Sequence, residues 1–520
     1  MHSPTSEEFL KLVAQGNLIP VTRRILADLE TPLSAYRKIR GQGESFLFES
    51  VEGGEHLGRY SFVGCNPRAV IRQNGNRVEV IENGKVVEGF IVAPSPRPSP
   101  PLAGERVADR PGEGETVHDG LEVVERVMKK YRPVTLPGLP RFTGGAVGFI
   151  GYEFIHDVEP VVPRPPVDEL GTPTMVFLIA DQLLIFDRVS QTITILVNAI
   201  LDGTESPAEA YENATSEIDR IVSLLEQPSE HHPVTVTKEV PAISFESNQT
   251  KEKFTANVLK AKEYITAGDV IQVVGSQRFS APVKASPLDI YRAVRSINPS
   301  PYLFLLELDG FSIVGASPEI HVRCEDWKVE IRPIAGTSRR GKTEEEDAAL
   351  EKELLANPKE RAEHVMLVDL ARNDIGRVCD FGSVQVKELM TIERYSHVMH
   401  IVSQVEGKLA ADKTSYDLMR ATFPAGTVSG APKIRAMQII AELEQTARGP
   451  YAGCVGYFSF NGNLDTCITL RSALIKDGKA YVQAGGGWVT DSTPEGEFQE
   501  TVNKSMAMRK AVAMAENFDR

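Results

Sequence analysis

The sequence predicts an α+β protein. Strand-like runs and amphipathic helical stripes occur in both halves of the chain. From residue 247 onward they mix without a regular βαβ rhythm, which argues against a doubly wound or barrel fold. Asn83-Gly84 divides two β-rich runs and is a strong hairpin signal, which favours antiparallel pairing.

Taken in order, 46–50 (FLFES) reads as a strand, and 78–87 as a hairpin about Asn83-Gly84. Residues 93–116, APSPRPSPPLAGERVADRPGEGET, are dominated by proline and glycine and read as a disordered or extended insertion. Strand-like runs resume at 144–152, 174–186 and 192–199. Residues 206–225 predict a helix, with Ala210, Ala214, Ile218, Ile221 and Leu225 on one stripe. Residues 227–246 are polar and proline-rich, as a linker would be. A helix at 249–267 and a strand at 270–277 follow. The expected organisation is an N-terminal domain over 1–226, the linker over 227–246, and a second domain over 247–520.

Composition narrows the function. A net charge of -14 argues against a general nucleic-acid binder, because phosphate binding needs a basic field. The five cysteines are scattered and form no CxxC, which fits a reducing cytoplasm. MHSPTSEEFL carries neither the basic nor the apolar segment of a secretory signal. The longest apolar stretch, 175–186, is broken by Asp181 and is too short to cross a bilayer.

The stretch 361–377, RAEHVMLVDLARNDIGR, predicts a helix with Glu363, Leu367, Leu370 and Asp374 on one face and Gly376 as its stop. An acid on a buried face needs a cation, a metal or hydrogen-bond donors. The pattern by itself favours a solvated glutamate. A second helix opens at DSTPE (491–495), where Ser492 and Glu495 make a capping-box pattern and Pro494 suits the first turn. Glu497, Glu500 and Lys504 share its face, which alone would be a surface ion pair. Gly485-Gly486-Gly487 leaves backbone N–H groups approachable by an anion; a plain glycine turn fits equally. Arg471 lies in a strand-like run, 468–473, from which its guanidinium could fork onto a carboxylate. His400, in HVMHIVSQVEG, reads alone as a core histidine.

Six blocks make these residues a set. EHVMLVDLARND, PIAGTSRRG (333–341), FPAGTVSGAPKIRAM (423–437), GPYAGCVGYF (449–458), DTCITLRSAL (465–474) and QAGGGWVTDSTPEGEFQET (483–501) resemble, in order, those of the chorismate-utilising enzymes, above all the large subunit of anthranilate synthase. The resemblance spans roughly 246 to the end. It implies two large antiparallel sheets packed as a sandwich with helices outside. It implies Glu363 and Glu500 as Mg²⁺ ligands, and Glu319 and His400 as catalytic groups. Gly336, Thr337, Thr427, Tyr451, Arg471, Gly485, Gly486, Gly487 and Lys504 fall on substrate-binding positions. Gly486 departs from the family, which usually carries alanine there.

A general acid for a leaving hydroxyl must hold its proton near neutrality, so a raised pKa is expected for Glu319. Ala335 and Gln272 occupy positions where related enzymes carry a nucleophilic or basic lysine; ammonia needs neither. FES (48–50) and NPSPYL (298–303) resemble the family's tryptophan feedback site, implying Ser50, Pro301, Tyr302 and Leu303 as inhibitor contacts, with Leu303 where methionine is usual. The chain carries no Gly-x-Cys-x-Gly-His amidotransferase element. Its ammonia is therefore expected from solution or from a glutamine amidotransferase subunit, with which the resemblance implies a heterotetramer. The rivals are an aminodeoxychorismate synthase component I and a non-catalytic aromatic-ligand sensor of the same fold.

Overall fold

The computed structural model describes residues 2–41, 43–50, 58–93, 115–228, 234, 243–395 and 398–518. Most of the proline-rich insertion (94–114) and of the linker (229–233 and 235–242) lies outside the described residues.

Two large sheets carry the structure, with 12 and 13 strands among the described residues. Among the described residues, every pairing between the strands of these sheets is antiparallel except that of Lys85–Val92 with Glu115–Val117. The class is α+β, and the sheets face one another. Phe46, Phe304 and Ile313 of the 12-stranded sheet meet Val147, Phe149 and Val455 of the other in one buried cluster. Helices Pro207–Leu225, Pro287–Ile297 and Pro494–Glu516 cover the outer face of the first sheet. Gly120–Met128, Pro358–Gly376 and Ser415–Thr422 cover that of the second. Residues 1–226 and 247–520 share both sheets: Ser45–Glu49 pairs with Tyr302–Leu308, and Gly145–Ile150 with Cys454–Ser459.

Local chemistry explains the element ends. Asn83 and Gly84 have φ of 48° and 72°, the left-handed pair that a two-residue hairpin turn requires. Ser206 caps its helix by a capping box with Glu209, and Thr250 caps Lys251–Thr266. Asn357 caps Pro358–Gly376 through the Lys359 and Glu360 N–H groups. The last helix differs from expectation. Its cap is Thr493, which accepts from the Gly496 N–H, while Ser492 accepts from the Val489 N–H in the preceding turn.

The chain changes sheet within two runs that the sequence reads as strand-like, 174–186 and 468–473. Met175–Ala180 belongs to the 13-stranded sheet and Gln182–Asp187 to the other, so the exchange falls at Asp181. Leu464–Ile468 and Ser472–Lys476 are likewise in different sheets. Arg471 therefore lies outside both strands, correcting its expected place in one, and its φ is 49°. Both sheets are covered on both faces, so apolar residues continue on either side of each crossing, interrupted by Asp181 in the first and by Thr469 and Arg471 in the second.

Candidate active site

The three glycines lie within a strand, not at a turn. Lys479–Trp488 runs antiparallel to Gln272–Pro282, placing Gly485 opposite Ser276, Gly486 opposite Gly275 and Gly487 opposite Val274. Its pairing with Ser472–Lys476 ends at Val482. Side chains of other elements press on the bare backbone. A Cβ at position 485 would stand 2.7 Å from the Tyr451 hydroxyl, and one at 486 would stand 2.8 Å from Glu497 Oε2 and 3.4 Å from Glu500 Oε1. At 487 it would meet Gln272 Nε2 at 2.4 Å.

Four glutamates gather over this floor. Glu363 accepts from Gln272 Nε2 at 3.3 Å, and Glu500 pairs with Lys504 at 2.6 Å. Lys504 also donates to the Gly485 carbonyl at 3.2 Å. Glu360 and Glu497 were not among the expected site residues. Burial, together with the nearby charges of Glu363 and Glu500, raises the Glu360 pKa. Burial and the Glu500 charge raise that of Glu497, whose Oε2 is buried with no hydrogen-bond partner. The signal for both was present in the sequence: each stands three residues before a predicted ligand, one turn away on the same helix face.

Among the described residues, no three His, Cys, Asp or Glu side chains lie close enough to cage a metal. The orphaned Glu497 oxygen, with Glu500 beside it over Gly486, nevertheless suits a hard divalent ion. Such an ion takes one or two protein carboxylates and completes its shell with water and substrate.

Glu319 is buried, and burial pushes its carboxyl up to about 8. Thr427 Oγ1 donates to Glu319 Oε1 at 2.6 Å, and Lys504 acts on Glu319 through its charge. His400 lies on Val398–Lys408, where burial lowers its pKa. Its Nδ1 stands 3.1 Å from Thr337 Oγ1 and 3.2 Å from the Gly336 carbonyl oxygen. A ring that donates from Nδ1 to that carbonyl presents Nε2 as an acceptor. Arg471 connects the parts. It donates to the Lys504 carbonyl at 2.8 Å, and its charge acts on His400. Burial lowers its own pKa, opposed by Tyr451 and Glu500. The structure thus brings the expected catalytic, substrate and acidic residues into one region. Asp374, the other acid on the Glu363 helix, is used elsewhere, in a 2.7 Å pair with Lys433.

The remaining expected residues form a separate cavity between the sheets, which Ser50, Pro301, Tyr302 and Leu303 line together with Arg323 and Asp465. Tyr302 donates to Asp465 at 2.8 Å, and Arg323 lies 3.1 Å from the same carboxylate.

A model of the chorismate binding enzyme family matches residues 104–510. Anthranilate synthase component 1 of Acetivibrio thermocellus is 46% identical over 520 residues, covering 99% of this chain and 99% of that protein. The chain belongs to the anthranilate synthase component 1 family. The Pseudomonas putida member is 46% identical over 516 residues and 98% of each chain. A solved anthranilate synthase component I, from Streptococcus pneumoniae, superposes with a TM-score of 0.74 at 36% identity, covering 94% of this chain and 99% of that one. The menaquinone-specific isochorismate synthase of Escherichia coli shares the fold, with a TM-score of 0.65 at 18% identity over 98% of each chain. Anthranilate synthase component 1 membership accounts for the order of the six blocks. No helix among the described residues is long and apolar enough to cross a membrane.

Proposed function

We infer that this chain is a lyase, the large subunit of an anthranilate synthase, converting chorismate and ammonia to anthranilate, pyruvate and water. The observation that carries the reading is the placement of a neutral buried acid, Glu319, near a floor formed by Arg471, Tyr451 and the side-chain-free Gly485–Gly487 strand. Full-length relatives named anthranilate synthase component 1 support it.

The residues divide the work. Arg471 and the Gly485–Gly487 backbone bind and orient the carboxylated substrate. Glu363 and Glu500, backed by Glu360 and Glu497, would hold Mg²⁺. Bound there, Mg²⁺ would offset the negative charge of the ring carboxylate. Glu319 is protonated at pH 7 and donates that proton to the departing ring hydroxyl while ammonia adds to the ring. His400 is neutral, and its Nε2 accepts a proton in the second step, when pyruvate leaves and the ring becomes aromatic.

The name component 1 points to a second component, for which a glutamine amidotransferase supplying ammonia is the chemical fit. The five free thiols suit a cytoplasmic location. The inter-sheet cavity, with paired cations and carboxylates at one end and aromatic walls, suits tryptophan as a feedback inhibitor. The test is incubation of the purified chain with chorismate, ammonium and Mg²⁺. Anthranilate fluorescence is expected, and tryptophan should suppress it. An aminodeoxychorismate product, or none, would reject the reading.

A further inference from the structure

Arg448 is among the largest fully buried side chains, with 1% exposure. It follows the Lys433–Glu444 helix in the loop that carries Tyr451. Its guanidinium donates to Glu444 through Nε at 2.9 Å and through an Nη at 2.7 Å. The two remaining bonds go to backbone carbonyls of other segments: Val428 at 2.8 Å and Val274 at 2.7 Å. The planar group stands over the Tyr152 ring at 4.7 Å and near the Tyr451 ring at 5.7 Å.

Those partners are not scattered. Val428 adjoins Thr427, which holds Glu319. Val274 pairs with Gly487. Tyr451 presses its hydroxyl on Gly485. Glu444 extends the tie, accepting from both the N–H and the hydroxyl of Ser276 at 2.8 Å, opposite Gly485. The loop itself is pinned from below: the Glu153 carboxylate accepts the Arg448 N–H at 2.7 Å and the Gly449 N–H at 3.0 Å.

We propose that Arg448 is a positioning residue: it holds the three substrate-facing segments, at Thr427, Tyr451 and Gly485–Gly487, at one fixed spacing. The proposal rests on the chorismate reading above. Only a guanidinium does this, because its rigid fork meets a carboxylate edge-on while donors remain for two further carbonyls; an ammonium has three donors and no fixed plane. Arg448 touches no reacting atom. It acts through the spacing of groups that do, and a displacement of about 1 Å at such groups costs on the order of a hundredfold in rate.

The experiment compares wild type with Arg448→Lys and Tyr152→Leu, and with Ile218→Ala, a buried substitution in the Pro207–Leu225 helix. Wild-type turnover of chorismate and ammonia tests the underlying reading by itself. For Arg448→Lys the KM for chorismate should rise about tenfold or more and kcat/KM fall about a hundredfold, with KM for ammonia unchanged. Tyr152→Leu should show the same split, smaller in size. Ile218→Ala should lower Tm while both KM values stay at wild type. If Arg448→Lys does not fold, Tyr152→Leu decides. Folded variants that lose Tm but keep the wild-type KM for chorismate overturn the proposal.

Discussion

Thr427 Oγ1 donates a 2.6 Å hydrogen bond to Glu319 Oε1, so the hydroxyl steadies the carboxylate form of an acid that burial otherwise keeps protonated. The two effects oppose, and burial wins, leaving the group at about 8. With free ammonia held constant, kcat/KM for chorismate should fall as pH rises through about 8. Thr427→Val removes the stabilising donor and should move that limb upward by about one pH unit. His400 is held below the ordinary imidazole range, so no acid limb should appear at 6.5. Stability shifts with the same proton. The unfolded carboxyl releases it near 4.5 and native Glu319 only near 8, so this group's contribution is full below 4.5 and lost as pH rises through 8. A limb that stays put in Thr427→Val would remove Glu319 as the acid.

Glu363→Ala and Glu500→Ala should each reduce Mg²⁺-dependent turnover at least about a hundredfold while near-UV circular dichroism stays native. Glu500 is partly exposed and its pair with Lys504 is a surface contact, so its loss should move Tm little. Calorimetric titration of Mg²⁺ in the presence of a chorismate analogue provides an independent readout. Undiminished heat in either variant takes that residue out of the metal site.

The glycine strand yields a paired test. At Gly486 an added Cβ meets Glu497 Oε2 at 2.8 Å, the end of a side chain that can swing aside. Gly486→Ala should therefore retain activity within about threefold, with the change confined to the Mg²⁺ concentration dependence. At Gly485 the Cβ meets the Gly275 carbonyl oxygen and the Tyr451 hydroxyl, each at 2.7 Å. That backbone cannot yield without opening the strand pair, so Gly485→Ala should lose about a hundredfold or more in kcat/KM. Equal effects at the two positions contradict this account of the floor.

Tryptophan should bind in the inter-sheet cavity, and Ser50→Phe should fill it. Titration into wild type should show binding weakened about 5- to 150-fold by a non-reacting chorismate analogue, a coupling of about 1–3 kcal/mol that linkage makes reciprocal. Asp465 offers a physical route. It accepts from Tyr302 at the cavity and stands on the strand that leads, through the crossing at 469–471, to Arg471. Ser50→Phe should lose tryptophan binding and keep uninhibited turnover; tryptophan binding at wild-type affinity would dismiss the site.

Much of this was legible in the residues. Periodicity placed the Pro207–Leu225 and Pro358–Gly376 helices, Asn83-Gly84 placed its hairpin, and the helix faces carried Glu363 and Glu500, while Glu360 and Glu497, three residues before them, went unassigned. These signals are local: a cap, a turn or a helix face is settled by side chains within a few positions of one another. Ordered blocks added the family, because six motifs in sequence specify a lineage even where each alone is ambiguous.

What the chain by itself determined is the class α+β, the elements with strong local signals and most of the chemical inventory of the site. What only the tertiary structure decided is which strands share a sheet and which side chains meet. Residues 174–186 and 468–473 each read as one strand-like run, yet each is split between two sheets, since a strand buried on both faces looks the same in either. Arg448 gave no sequence signal at all. Its carbonyl partners lie 20 and 174 residues away, and a backbone oxygen looks alike at every position until the fold delivers it.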